Sequence, residues 1–133
     1  MNGSKFLISN PGILNADGAL SFVAKGSATY GGFTVIAAHA VTGAVGTLDI
    51  VLQNYGTTGT VAGGTVASMA SGTATTWAID TPQSLTVSTT AANRYIAANE
   101  WLVIKKLEAG GSDDLTTDAV VVIEYVDGVI TAA

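Results

Sequence analysis

Short runs of alternating apolar and polar residues, separated by glycine, proline, asparagine and aspartate, recur along the chain. That period of two predicts β-strands rather than helices. The clearest run spans Asp118–Asp127. Val121, Ile123 and Tyr125 fall on one face, and Val120, Val122, Glu124 and Val126 on the other. Both faces are largely apolar, which predicts a central strand covered on two sides. Upstream, Trp101–Leu107 places Leu102 and Ile104 opposite Trp101 and Val103, and Lys105–Lys106 mark where the strand meets water. The polar, glycine-bearing gap between the two runs predicts an antiparallel hairpin.

The remaining strands follow from the same pattern. Phe33–Val41 is one. Thr47–Gln53 is the next, with Leu48, Ile50 and Leu52 inward and Asp49 and Gln53 outward. The turn at Thr42–Gly46 predicts that these two also form a hairpin. Further strands are expected at Thr65–Met69, Thr76–Asp80, Gln83–Ser88 (Leu85 and Val87 inward) and Arg94–Ala98, with a last edge at Val129–Thr131. Only Ala91–Arg94 and Ala97–Glu100 have room for a helical turn. Residues 1–32 are punctuated by six glycines and Pro11. They predict an extended N-terminal arm carrying one or two brief strands, such as Leu20–Val23. The domain expected is therefore a β-sandwich over residues 33–133 with the arm at 1–32. About eight short antiparallel strands joined by glycine-rich turns imply an all-β, jelly-roll-like sandwich, with an immunoglobulin-like sandwich as the alternative.

Composition alters this picture in one respect. The chain of 133 residues holds 21 alanines, 18 threonines and 16 glycines, so large apolar side chains are scarce. A modest core favours association that covers more surface, and a homo-oligomer is expected. The net charge of −5 and the lack of a basic stripe argue against nucleic-acid binding. No run approaches the length of a membrane span, and Phe6–Ile8 is too short for the core of a signal peptide. Synthesis in the cytoplasm is the corresponding expectation. No disulfide or thiolate site is possible without cysteine.

The search for chemistry yields little. His39 is the only histidine and lies among Ala37, Ala38 and Ala40, a structural setting. Gly43–Gly46 and Gly63–Gly64 lack the lysine and helix of a phosphate loop. Asp113, Asp114 and Asp118 crowd one loop but lack EF-hand spacing, so a solvated loop is expected there. Tyr30, Tyr55, Trp77, Tyr95 and Trp101 are candidates for a sugar-stacking platform or for core positions. No enzyme, metal or cofactor is expected.

One resemblance is carried by phrases along the chain. They are Thr42-Gly-x-x-Gly-Thr-Leu-Asp-Ile-Val-Leu52, Ala70-Ser-Gly-Thr-Ala74, Ser84-Leu-Thr-Val-Ser88 and Ala97-Ala-Asn-Glu-Trp-Leu-Val-Ile104, then a Gly-Gly loop and a β-branched final strand. Over about residues 30–127 this order resembles the capsid decoration, or cement, proteins of tailed bacteriophages. The phrase Ala98-Asn-Glu-Trp-Leu102 departs from the Ala-Gly-Asp-x-Leu often found in that class. The resemblance implies a sandwich, often trimeric, bound to the outside of a phage head. It implies the major capsid protein and other copies of the chain as partners, with the virion surface as the location. Candidate contact residues are Phe6, Leu7 and Ile8 of the arm, and Tyr55, Val61, Val66, Met69 and Trp77 in and beside the small-residue stretch. The alternative is a carbohydrate-binding sandwich acting as a virion host-adhesion module.

Overall fold

The computed structural model describes residues 4–12, 20–42, 46–48, 50–60, 63–68, 75–77, 82–106 and 119–128. Its strands in chain order are β1 (Lys5–Gly12), β2 (Leu20–Lys25), β3 (Phe33–Thr42), β4 (Gly46–Leu48), β5 (Ile50–Asn54), β6 (Thr65–Ser68), β7 (Thr75–Trp77), β8 (Gln83–Val87), β9 (Tyr95–Ile96), β10 (Trp101–Lys106) and β11 (Ala119–Asp127). One helical turn, α1 (Ala91–Arg94), precedes β9. The fold is all-β.

Its connectivity is that of a long antiparallel ribbon wrapped into a sandwich. The first strand pairs with the last, β1 with β11. The second pairs with the last but one, β2 with β10. Inside these, β3 pairs with β8 and β9, and β5 pairs with β6 at the ribbon's tip. Wrapping places β11 between β1 and β3, and β10 between β2 and β5. The two layers are thus β1-β11-β3 and β2-β10-β5-β6, the jelly-roll arrangement. β8 joins them, since Gln83–Leu85 pairs with β3 while Thr86 and Val87 pair with β6. Bulges where β3 meets β11, β2 meets β10 and β5 meets β6 bend the strands around the core.

This ribbon corrects both expected hairpins. β10 and β11 lie in different layers, and so do β3 and β5. Each of these strands is apolar enough to need a neighbour on both sides, and distant partners supply them. The first 32 residues, expected as an arm, contribute β1 and β2 to the two layers, each at an open edge. The expected edge strand at Val129–Thr131 lies outside the described residues.

Alternation fixed the inward faces as expected. Ile50, Leu52, Leu102, Ile104, Val121 and Ile123 are fully buried in one core, with Leu85 nearly so and Val87 and Tyr125 packed against it. β3 contributes Ala38 and Ala40, small residues opposite Ile123 and Val121 in the ladder. Phe33 and Tyr125 meet edge to face, with centroids 5.2 Å apart. At one end of the sandwich backbones nearly touch. A Cβ on Gly26 would lie 1.9 Å from the Ala97 carbonyl oxygen, and one on Gly32 would lie 2.0 Å from that of Ile96. Gly26 N–H donates to Glu100 O and Asn99 N–H to Gly26 O.

Two stability predictions follow. Ile123→Ala is expected to cost about 2–5 kcal/mol, because it empties a buried site. Glu124→Ala, which loses a partly exposed carboxylate accepting from Ser4 Oγ at 2.6 Å, should cost under about 1 kcal/mol. Urea melts check the order. Gly26→Ala should cost about 2–4 kcal/mol, since the close contact is backbone on backbone. Gly31→Ala meets nothing within 4 Å and pays only for φ +85°, about 1 kcal/mol. Thermal melts of the pair separate steric exclusion from backbone strain.

Candidate functional site

β1 and β2, the two outermost strands, come within 8 Å of each other, yet no ladder joins them among the described residues. On the opposite side β8 closes the sandwich. The unclosed side is a seam, and a cavity of about 570 Å³ opens there. Its floor is apolar: Leu7 from β1, Ala24 from β2, Phe33 from β3 and Tyr125 from β11. The rim is polar. Lys5 Nζ forms an ion pair with Asp127 on one side, and Lys25 stands on the other.

The wall between them is a tight turn. Gly31 N–H donates to Ser27 O at 3.0 Å. Ser27 Oγ accepts from Thr29 N–H at 3.1 Å and Tyr30 N–H at 2.9 Å. Gly31 takes φ +85°, which glycine adopts without strain. The turn presents Tyr30 at the mouth of the cavity with 91% of its surface exposed. Asp127 holds the Lys5 ammonium above the usual lysine range, first by its hydrogen bond and then by its charge. Lys25 makes no ion pair among the described residues. Its ammonium lies 5.4 Å from the centroid of the Trp101 ring.

A second feature borders the seam. Phe22 on the outer face of β2 meets Trp101 (centroids 5.6 Å apart) and Tyr55 (6.4 Å), both edge to face. Gly59 packs beneath Phe22, where a Cβ would lie 3.1 Å from the ring. Tyr55 is only 5% exposed. These rings pack on one another and do not present a flat stacking face.

The sequence-derived contact residues therefore separate. Phe6 and Ile8 are 66% and 71% exposed on the outer face of β1. Leu7, between them, turns inward onto the core and the seam. Tyr55 and Val66 are buried and are not surface contacts in the isolated chain. Val61 and Met69 lie outside the described residues, as do Asp113, Asp114 and Asp118. Trp77 ends β7, and its side chain is likewise outside what is described. Tyr30 was among the aromatic candidates for a sugar-stacking platform, and reasoning from sequence missed its neighbours at the cavity, Lys25 and Ser27. The signal available was the Gly26-Ser-x-x-Tyr-Gly-Gly32 phrase, whose paired glycines mark a tight turn.

Two polar features complete the inventory. Asn99 takes φ 66°, a conformation glycine adopts freely, and Glu100 Oε1 accepts from Ala97 N–H at 2.8 Å and Asn54 Nδ2 at 3.0 Å. Asn99 thus supplies a left-handed residue and Glu100 a carboxylate that closes the turn. Arg94 is 5% exposed; its Nη1 donates to Val35 O at 3.2 Å, and its Nε has no partner among the described residues. His39 is exposed opposite Val122. Among the described residues no cluster of three ligating side chains is placed to hold a metal.

No family model, curated protein or solved structure matches the chain. The jelly-roll arrangement and the open seam thus rest on the strand pairing alone.

The Lys5–Asp127 pair gives a direct titration test. In Asp127→Asn the Lys5 ammonium should titrate at lower pH than in the parent chain, because the carboxylate charge is removed and the amide oxygen left in its place accepts more weakly. Carbon-detected NMR of the lysine side chains reads the shift.

Proposed function

We propose that this chain is a structural virion protein, a decoration or cement protein of a tailed-phage head that binds outside the shell and ties joints between major capsid subunits. The observation that carries the reading is the outer face of β1. Phe6 and Ile8 stand largely exposed on an edge strand, beside Glu124 and Val122 of β11. Two neighbouring large apolar side chains left in water on a folded domain mark an interaction surface. Burying one such side chain contributes about 1.5–3 kcal/mol. That is weak for one copy, but copies repeated on a lattice act together. The resemblance over residues 30–127 supplies the particular class, and self-association as a trimer belongs to the same proposal.

Two measurements test it. Particles purified by density gradient from the encoding phage stock should carry this chain in fixed ratio to the shell protein; finding it only in the soluble fraction overturns the proposal. Phe6→Ser with Ile8→Ser should reduce occupancy on particles at least tenfold while the melting temperature of the isolated chain changes little. Unchanged occupancy would remove β1 from the interface.

A further inference from the structure

We propose that the seam cavity binds an acidic saccharide. The inference is independent of the assembly reading, since it concerns the cavity between β1 and β2 and not the outer face of β1.

The lining selects the ligand class. At about 570 Å³ the cavity lies within the range of small-ligand sites, about 300–1,000 Å³. Its aromatic groups sit at two levels, Phe33 and Tyr125 in the floor and Tyr30 at the mouth. A sugar ring offers C–H faces to such rings and hydroxyls to the rim. The Lys5–Asp127 pair places a donor and an acceptor side by side, both about half exposed, which suits neighbouring hydroxyls. Ser27 Oγ already accepts from two backbone N–H groups, so its own proton remains to donate.

Charge decides between neutral and acidic sugars. The chain carries −5 overall and has five cationic residues. Two of the five, Lys5 and Lys25, line this cavity against one carboxylate, Asp127. Asp127 is engaged by Lys5, and Lys25, whose ammonium lies 5.4 Å from the centroid of the Trp101 ring, has no carboxylate partner among the described residues. A neutral sugar would leave the Lys25 charge without an anionic partner. An apolar acid would use Lys25 and the floor but would leave the Lys5–Asp127 pair and Ser27 without hydroxyl partners. Only a ligand with a ring face, hydroxyls and an anionic group engages the whole lining. The turn that carries Tyr30 is already hydrogen-bonded in the free chain, so little ordering is required on binding.

The test is an amide NMR titration of the full chain with three probes: glucuronate, glucose and decanoate. Glucuronate should produce saturable shifts at Tyr30, Gly31 and Gly32, with glucose at least tenfold weaker. Tyr30→Ala and Lys25→Met should each weaken glucuronate binding about fivefold or more, with the rest of the spectrum unchanged. Three results overturn the proposal: no saturable shift with glucuronate, equal binding of glucose, or shifts with decanoate alone. Unchanged affinity in both variants places the site elsewhere and overturns it as well. None of these outcomes alters the occupancy test on particles, so the two proposals fail separately.

Discussion

The structure depends on one pairing, that of the last strand with the first and third. β11 lies between β1 and β3, with Ile123 opposite Leu7 on one side and Ala38 on the other. Both of its edges are paired, and Val121, Ile123 and Tyr125 turn its inner face onto the core. The ladder with β1 joins residues more than a hundred positions apart, so its closure entropy must be met before the contacts form. Among the described residues the most local strand pairing is at the ribbon's tip, where β5 meets β6, and α1 is the one helical turn. The fold is therefore expected to be cooperative, with neither β1 nor β3 secure until β11 is in place.

The same wrapping creates the molecule's asymmetry. On one side β8 pairs with both layers and closes the core. On the other, β1 and β2 meet without a ladder among the described residues, which leaves a seam between them. Near the cavity the backbones of Gly26 and Gly32 press against Ala97 and Ile96. That contact anchors both ends of the turn carrying Tyr30. A large exposed aromatic on a turn pinned in this way is held ready for contact and loses little freedom when it binds.

Small residues shape the rest. Ala38, Ala40 and Ala67 lie in the core among Ile50, Leu52, Leu102, Ile104 and Ile123. Alternating small and large side chains let the layers interdigitate, but they limit the area removed from water. Large apolar groups appear outside as well, at Phe6 and Ile8 on β1 and at Leu20 and Phe22 on β2. Both strands are edges, the places where a β protein meets its neighbours most readily.

Most of the core strands, and the inward direction of many of their side chains, were legible in the chain's own alternation, whereas β1 was read only as part of an arm and Val51 and Val103 are buried on the opposite face. Period-two alternation is local, and it correctly placed Ile50, Leu52, Leu85, Val121, Ile123 and Tyr125 inward. Partner choice was not legible. Alternation says a strand needs neighbours without naming them, and β10 and β11 satisfy that need in different layers. The same limit hid the fate of the aromatics. Tyr55 and Tyr30 both sit beside glycines in the sequence, yet one packs under Phe22 and the other stands in solvent. Only the tertiary structure decided this, because it alone brings β2 onto β10 and leaves the seam beside β1 open. The cavity there combines residues from β1, β2, β3 and β11. Their nearness comes from first-with-last pairing, a long-range property that no short stretch of the chain records.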